Sequence, residues 1–206
     1  MSKATQTDAM GSIQRGIKRT LDFVMSALGL ILLSPLFIII SVLMKFQGNG
    51  PIFFRQIRIG YKGKPFVILK FRTISKKTEK NTPQLIAKTS CKSSTPFEKF
   101  LREHHLDELP QLWNVLVGDM SLVGPRPERK YFIDKIMEHT DLYPIIYNMR
   151  PGLTSEATLY NGYTDTMEKM LKRLQMDINY FERRSLWLDF KIIIKTFVNI
   201  VSGNKF

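Results

Sequence analysis

Phe23 to Met44 reads FVMSALGLILLSPLFIIISVLM, a run of 22 residues without a charge. A straight helix of that length rises roughly 33 Å, enough to cross the hydrocarbon core of a bilayer. The run is too long for the apolar part of a cleaved signal peptide, and no small-x-small site follows it. Its uniform apolarity also argues against a helix buried in a soluble core. Ser34-Pro35 sits mid-run. Proline lacks the backbone donor and collides with the preceding turn, so the helix should kink or break there. Basic residues stand on both sides: Arg15, Lys18 and Arg19 before, Lys45, Arg55, Arg58, Lys62 and Lys64 after. Because such residues prefer the cytoplasmic side, a helix that enters, turns at Ser34-Pro35 and returns fits them. Each half would be roughly 16 Å long, about half the bilayer. The Ser34 hydroxyl is then a partner for a carbonyl freed at the bend, and a kinked single span stays open beside the re-entrant form.

The 206 residues suit one domain, or one domain plus an anchor. Lys and Arg total 31 against 18 acids, a formal charge of +13. That balance calls for an anionic partner: nucleic acid, lipid headgroups or phosphorylated substrates. The single cysteine, Cys91, excludes an internal disulfide. No Cys/His spacing resembles a zinc site, and the neighbours His104 and His105 cannot share a helix face.

Beyond the turn cluster at residues 47–51, the short runs Ile52-Phe53-Phe54 and Pro65 to Phe71 read as a strand pair joined at Gly60 to Gly63. Residues 51–80 carry nine Lys or Arg and one acid. A solvated or lipid-facing surface accounts for most of these charges. Ser75 to Ser94 reads as a loop. Thr95, Pro96 and Glu98 predict a capping box and a helix reaching about His105. Asp107 is the expected N-cap of the next helix, with Pro110 in its first turn, Leu112, Trp113, Val115 and Leu116 buried, and Gly118 and Asp119 at its end. Gly124-Pro125-Arg126-Pro127 reads as a rigid loop, residues 128–139 as a helix, and Arg150-Pro151-Gly152 as a turn. A charged amphipathic helix is expected over 165–184. Ser185 caps a last helix, Leu186 to Val201, whose apolar side fits either a membrane interface or the core.

Asp107-Glu108 is the pair with chemical promise. Leu106 and Leu109 flank it, which favours partial burial. Adjacent carboxylates near a helix start can hold a divalent metal and leave one oxygen to attack phosphorus. Most adjacent acids are plain surface charge, and composition alone does not separate the two readings.

The ordered motifs do more. Lys18-Arg19-x-x-Asp22, Ser34-Pro35, Lys70-Phe71-Arg72-Thr73, Leu106-Asp107-Glu108-Leu109-Pro110-Gln111-Leu112-Trp113-Asn114-Val115-Leu116, Gly118-Asp119-Met120-Ser121, Gly124-Pro125-Arg126-Pro127-Glu128 and Arg150-Pro151-Gly152-Leu153-Thr154 follow one another from about Arg15 to Phe197. In this order the chain resembles the small monotopic bacterial phosphoglycosyl transferases, the bacterial sugar transferase family. The resemblance implies an α+β, mostly helical fold. Residues 1–14 would be a tail, 15–46 a re-entrant membrane hairpin broken at Ser34 and Pro35, and 47–206 a cytoplasmic catalytic domain with interfacial amphipathic helices. It implies transfer of a sugar-1-phosphate from a UDP-sugar to undecaprenyl phosphate at the cytoplasmic membrane, the first membrane step of a polysaccharide or glycoprotein pathway. Asp107 would be the nucleophile and would carry the phosphosugar. Glu108 would help hold Mg²⁺ or assist the second step. Lys70, Arg102, Arg126 and Arg150 would recognise phosphate or uridine. Anionic headgroups are further partners, nucleic acid is not, and a homodimer is allowed. The chain departs from many members at Arg58-Ile59-Gly60 and at Ser155 to Gly162, which leaves the sugar open. Two rival readings remain: a basic membrane-anchored binding protein for lipid or nucleic acid, and a transferase that moves the sugar without its phosphate.

Overall fold

The computed structural model of the chain describes residues 7–47, 50–73, 95–162 and 164–202. The expected loop at 75–94, with Cys91, lies outside these.

The apolar run forms α1 (Ser12–Leu32) and α2 (Ser34–Phe46), bent by 58° at Leu33. Pro35 cannot donate to Ile31, and the Ser34 hydroxyl takes that carbonyl at 2.7 Å. Among the described residues no single helix is long and apolar enough to cross a membrane, whereas α1 and α2 together meet that test by length and composition.

β1 (Phe53–Ile59) and β2 (Pro65–Phe71) form an antiparallel pair in which Phe53 faces Phe71. The first strand runs five residues past the expected Phe54. Pro96–Glu103 is α3, with the reciprocal capping bonds between Thr95 and Glu98 in place. It ends two residues early, because His105 takes a left-handed backbone (φ 55°) that no helix continues.

α4 is Gln111–Val117. Asp107 does not cap it. Pro110 has no N–H to close an α turn, so Leu106–Glu108 forms a separate 3₁₀ turn, closed by the Leu109 N–H on the Leu106 carbonyl, and Pro110 itself stands at the N-cap. Leu112 and Val115 are buried as expected, but Trp113 is exposed.

The region read as loop and turn holds a second sheet. β3 (Ser121–Val123) and β4 (Gly152–Thr154) pair in parallel. A Cβ on Gly124 would come within 2.3 Å of the Arg150 carbonyl oxygen, and one on Gly152 within 2.1 Å of the Gly124 nitrogen. The two backbones therefore approach as only glycine permits.

α5 (Lys130–Met137), α6 (Glu156–Asn161), α7 (Met167–Arg183) and α8 (Leu186–Val201) complete the chain, and the Ser185 hydroxyl caps α8 through the Leu188 N–H. The largest core joins α5, α7 and α8 through Phe132, Ile136, Met170, Ile178, Phe181 and Ile192. A second core sets Ile40 and Met44 of α2 against Phe71 and Leu101. α8 divides between its two readings. Ile192 enters the core, while Trp187, Phe190, Ile194, Phe197 and Val198 are exposed. Phe23, Leu28, Ile31 and Leu32 of α1 and Ile38, Ile39 and Phe46 of α2 are exposed as well.

Motif residues without an obvious role in the sequence join these parts. Asp22 of α1 is 4% exposed and accepts from the Ser121 hydroxyl at 2.8 Å and the Leu122 N–H at 3.1 Å. Lys18 bridges to Asp189 of α8 at 2.7 Å. Arg19 donates to the Val115 and Leu116 carbonyls at 2.7 and 2.8 Å, at the C-terminal end of α4. Lys18-Arg19-x-x-Asp22 thus fastens the apolar helix to α4, β3 and α8.

Candidate active site

Asn114 sets the site. Its side-chain oxygen accepts from the Leu69 N–H at 3.0 Å, and its nitrogen donates to the Val67 carbonyl at 2.7 Å. The amide pairs with the open edge of β2 as another strand would, and so fixes α4 and the preceding 3₁₀ turn against that strand. Lys70, the next residue of β2, then reaches the dyad.

Glu108 Oε1 accepts from Lys70 Nζ at 2.6 Å and from the Arg126 guanidinium at 3.0 Å. Arg126 comes from the Gly124-Pro125-Arg126-Pro127 loop, which is held on both sides. The Gly152 N–H donates to the Pro125 carbonyl at 2.9 Å, and the Ile59 N–H to the Glu128 carbonyl at 3.0 Å. The rigidity expected from two prolines is thus reinforced by backbone bonds to β4 and β1. Glu128 is itself buried between Arg58 and Arg173.

Asp107 is 7% exposed. Among the described residues it makes no side-chain hydrogen bond or ion pair. The two neighbours therefore titrate apart. Burial and then the adjacent Glu108 charge push Asp107 up to about 6, against the pull of Lys70, Arg126 and Arg102. Burial would raise Glu108 too, but Lys70 and Arg126 outweigh it and hold the group well below the usual carboxylate range. Glu108 in return holds the Arg126 guanidinium above its ordinary value. Burial lowers His105.

Of the four expected basic residues, Lys70 and Arg126 meet on Glu108. Arg102 of α3 donates to the Thr73 carbonyl at 2.9 Å and lies close enough to act on Asp107. Arg150 is engaged elsewhere. Its Nε donates to the Gly118 carbonyl at 2.9 Å, and its guanidinium lies over the Tyr61 ring, 5.0 Å from the centroid. Ser34 and Pro35 lie at the bend between α1 and α2.

No group of three or more His, Cys, Asp or Glu side chains forms a metal cage among the described residues. The donor set is of another kind: Asp107 and the second oxygen of Glu108, both without a hydrogen bond or ion pair. Magnesium is commonly held by one or two carboxylates together with substrate phosphates and water, and this pair fits that chemistry. Sequence reasoning left Gln111 and Asn114 without roles, although both stand in the motif it quoted. Gln111 is 2% exposed, and its amide nitrogen has no hydrogen-bond partner.

A basic clamp on one carboxylate and, beside it, a buried carboxylate without a hydrogen-bond or ion-pair partner among the described residues make up the candidate site. The family model described as "Bacterial sugar transferase" matches residues 13–203, and the chain belongs to that family. Similar proteins include the UDP-glucose:undecaprenyl-phosphate glucose-1-phosphate transferase of Klebsiella pneumoniae, 40% identical over 190 residues, which cover 91% of this chain and 40% of that protein. The UDP-N-acetylgalactosamine-undecaprenyl-phosphate N-acetylgalactosaminephosphotransferase of Aeromonas hydrophila is 36% identical over 187 residues, 91% of this chain and 44% of its own. Exopolysaccharide production protein ExoY of Rhizobium meliloti (strain 1021) is 32% identical over 206 residues, 93% of this chain and 88% of its own. The chain spans less than half the length of the first two relatives and most of the third.

Proposed function

We propose that the protein transfers a sugar-1-phosphate from a UDP-sugar to undecaprenyl phosphate. The observation that carries this reading is the asymmetry of the dyad: Glu108 is clamped by Lys70 and Arg126, while its buried neighbour Asp107 has no hydrogen-bond or ion-pair partner among the described residues. A carboxylate oxygen of Asp107 attacks the phosphorus that bears the sugar. The bond from that phosphorus to the bridging oxygen breaks, UMP leaves, and the phosphosugar is carried on Asp107. A phosphate oxygen of undecaprenyl phosphate then attacks the same phosphorus, and the bond to Asp107 breaks. The product is the lipid diphosphate sugar, and the carboxylate is restored.

Both substrates and the nucleophile are anionic, so the reaction depends on positioned positive charge. Lys70 and Arg126 sit beside the dyad and Arg102 acts on Asp107; Arg150, held at Gly118 and Tyr61, is assigned a phosphate or uridine contact only through the family resemblance. Asp107 and Glu108 would hold a Mg²⁺ ion, which would supply further charge neutralisation.

We assign residues 15–46 to a re-entrant hairpin in the bacterial cytoplasmic membrane and residues 47–206 to a domain on its cytoplasmic face. The 58° bend at Ser34-Pro35, the satisfied Ile31 carbonyl and the exposed apolar faces of α1, α2 and α8 support this. A site at headgroup level meets the lipid phosphate where it lies.

The nucleotide released from a panel of UDP-sugars, with undecaprenyl phosphate and Mg²⁺, tests the proposal. UMP is expected from at least one sugar. UDP would assign transfer of the sugar without its phosphate, and no nucleotide from any sugar would favour a binding protein.

A further inference from the structure

Gln111 carries a feature that the reaction as described does not use. The residue is 2% exposed, yet its amide nitrogen donates to no acceptor among the described residues. A buried donor without an acceptor costs free energy for as long as the bond is unmade, so its retention calls for a reason.

The backbone places Gln111 on the same face as the dyad. Gln111 follows Glu108 by three residues and Asp107 by four, both same-face spacings. The residues between them are right-handed helical, Leu109 at φ −51° and ψ −38° and Pro110 at φ −61° and ψ −16°. The spacing therefore holds across the change from 3₁₀ turn to α-helix. A helical side chain leans toward the turn on its N-terminal side, which here is the turn that carries the dyad. Asp107 and Gln111, one turn apart, are both buried and are not bonded to each other.

We propose that Gln111 is a substrate contact: its amide N–H donates to an oxygen of the phosphate that Asp107 attacks. The inference rests on the reading of Asp107 given above. Lys70 and Arg126 supply charge, but both are already bonded to Glu108. A neutral amide adds a directed donor without adding another cation beside Asp107. The arriving phosphate oxygen satisfies the buried N–H and is oriented by it.

Gln111→Met tests this, because methionine matches the shape and removes the donor. No side-chain hydrogen bond among the described residues is lost, so the melting temperature should be unchanged or higher. UMP release should fall roughly 10- to 100-fold in kcat/KM, the range for a hydrogen bond to a charged group. Activity within twofold of wild type would overturn the proposal, as would a melting temperature that falls in step with activity. A second arm measures binding of UDP and of uridine to both proteins in Mg²⁺. UDP should bind the variant more weakly and uridine should bind both alike; equal UDP affinity would overturn the proposal. That arm can be read even if wild type releases no UMP. Failure of the transfer reaction and failure of this contact are therefore separate results.

Discussion

Asp22 and Asp107 are buried almost equally, at 4% and 7% exposure, and have opposite surroundings. Asp22 sits among donors: the Ser121 hydroxyl, the Leu122 N–H and the Lys18 ammonium. Asp107 has only the long-range pull of Lys70, Arg126 and Arg102, and a second carboxylate beside it. Burial alone thus does not mark a reactive acid. A carboxylate surrounded by donors ties elements together. One left without them, with cations close by, is available to a phosphorus atom or a metal.

Substitution sharpens the contrast. The largest expected effect is that of Asp107→Asn, which should reduce UMP release by more than about 10³-fold while leaving the melting temperature unchanged or raised. Asn keeps the shape and removes a charge that burial disfavours. Loss of folding in this variant would make Asp107 a second Asp22. Asp22→Ala should do the reverse and lower stability by about 2 kcal/mol, because it takes the acceptor from the Leu122 N–H and one acceptor from the Ser121 hydroxyl, while Lys18 keeps Asp189. Thermal or denaturant unfolding reads that loss, and a shift under 1 kcal/mol would dissolve the comparison.

Acidity offers a third test. Asp107 attacks as the anion, and its ionised fraction falls tenfold per pH unit below its pKa. In the free enzyme kcat/KM should therefore fall on the acid side of about pH 6 and level off above it. Lys70 favours the charged form, so Lys70→Met should move that limb to higher pH as well as lower the plateau. A limb that stays in place would separate Lys70 from Asp107. The smallest effect belongs to Trp113. Its exposure predicts that Trp113→Ala changes stability by no more than about 1 kcal/mol, whereas a buried tryptophan would cost about 3–5.

Wherever a local rule governs, the sequence was legible. Thr95 and Glu98 marked the start of α3, Ser185 that of α8, and Ser34-Pro35 the bend, because a cap or a missing donor acts within a few residues. The ordered motifs also point to the dyad, Lys70 and Arg126, which the fold brings together. What stayed hidden depends on distant partners. β3 and β4 are three residues each and pair across about thirty positions, so neither shows a period of its own. Asp107 looked like an N-cap until Pro110 separated the 3₁₀ turn from α4. Trp113 sits among buried neighbours in sequence, but its helix buries Leu112, Asn114 and Val115 instead. Asn114 acts through the edge of β2, which no pattern within α4 announces.

The proposed covalent step is tested most directly by intact mass measurement of protein quenched after exposure to UDP-sugar and Mg²⁺ without lipid acceptor. The account predicts a mass increase of one phosphosugar on wild type, released when undecaprenyl phosphate is added and absent from Asp107→Asn. An adduct that persists in that variant, or none in a wild-type preparation that transfers once lipid is supplied, would contradict it.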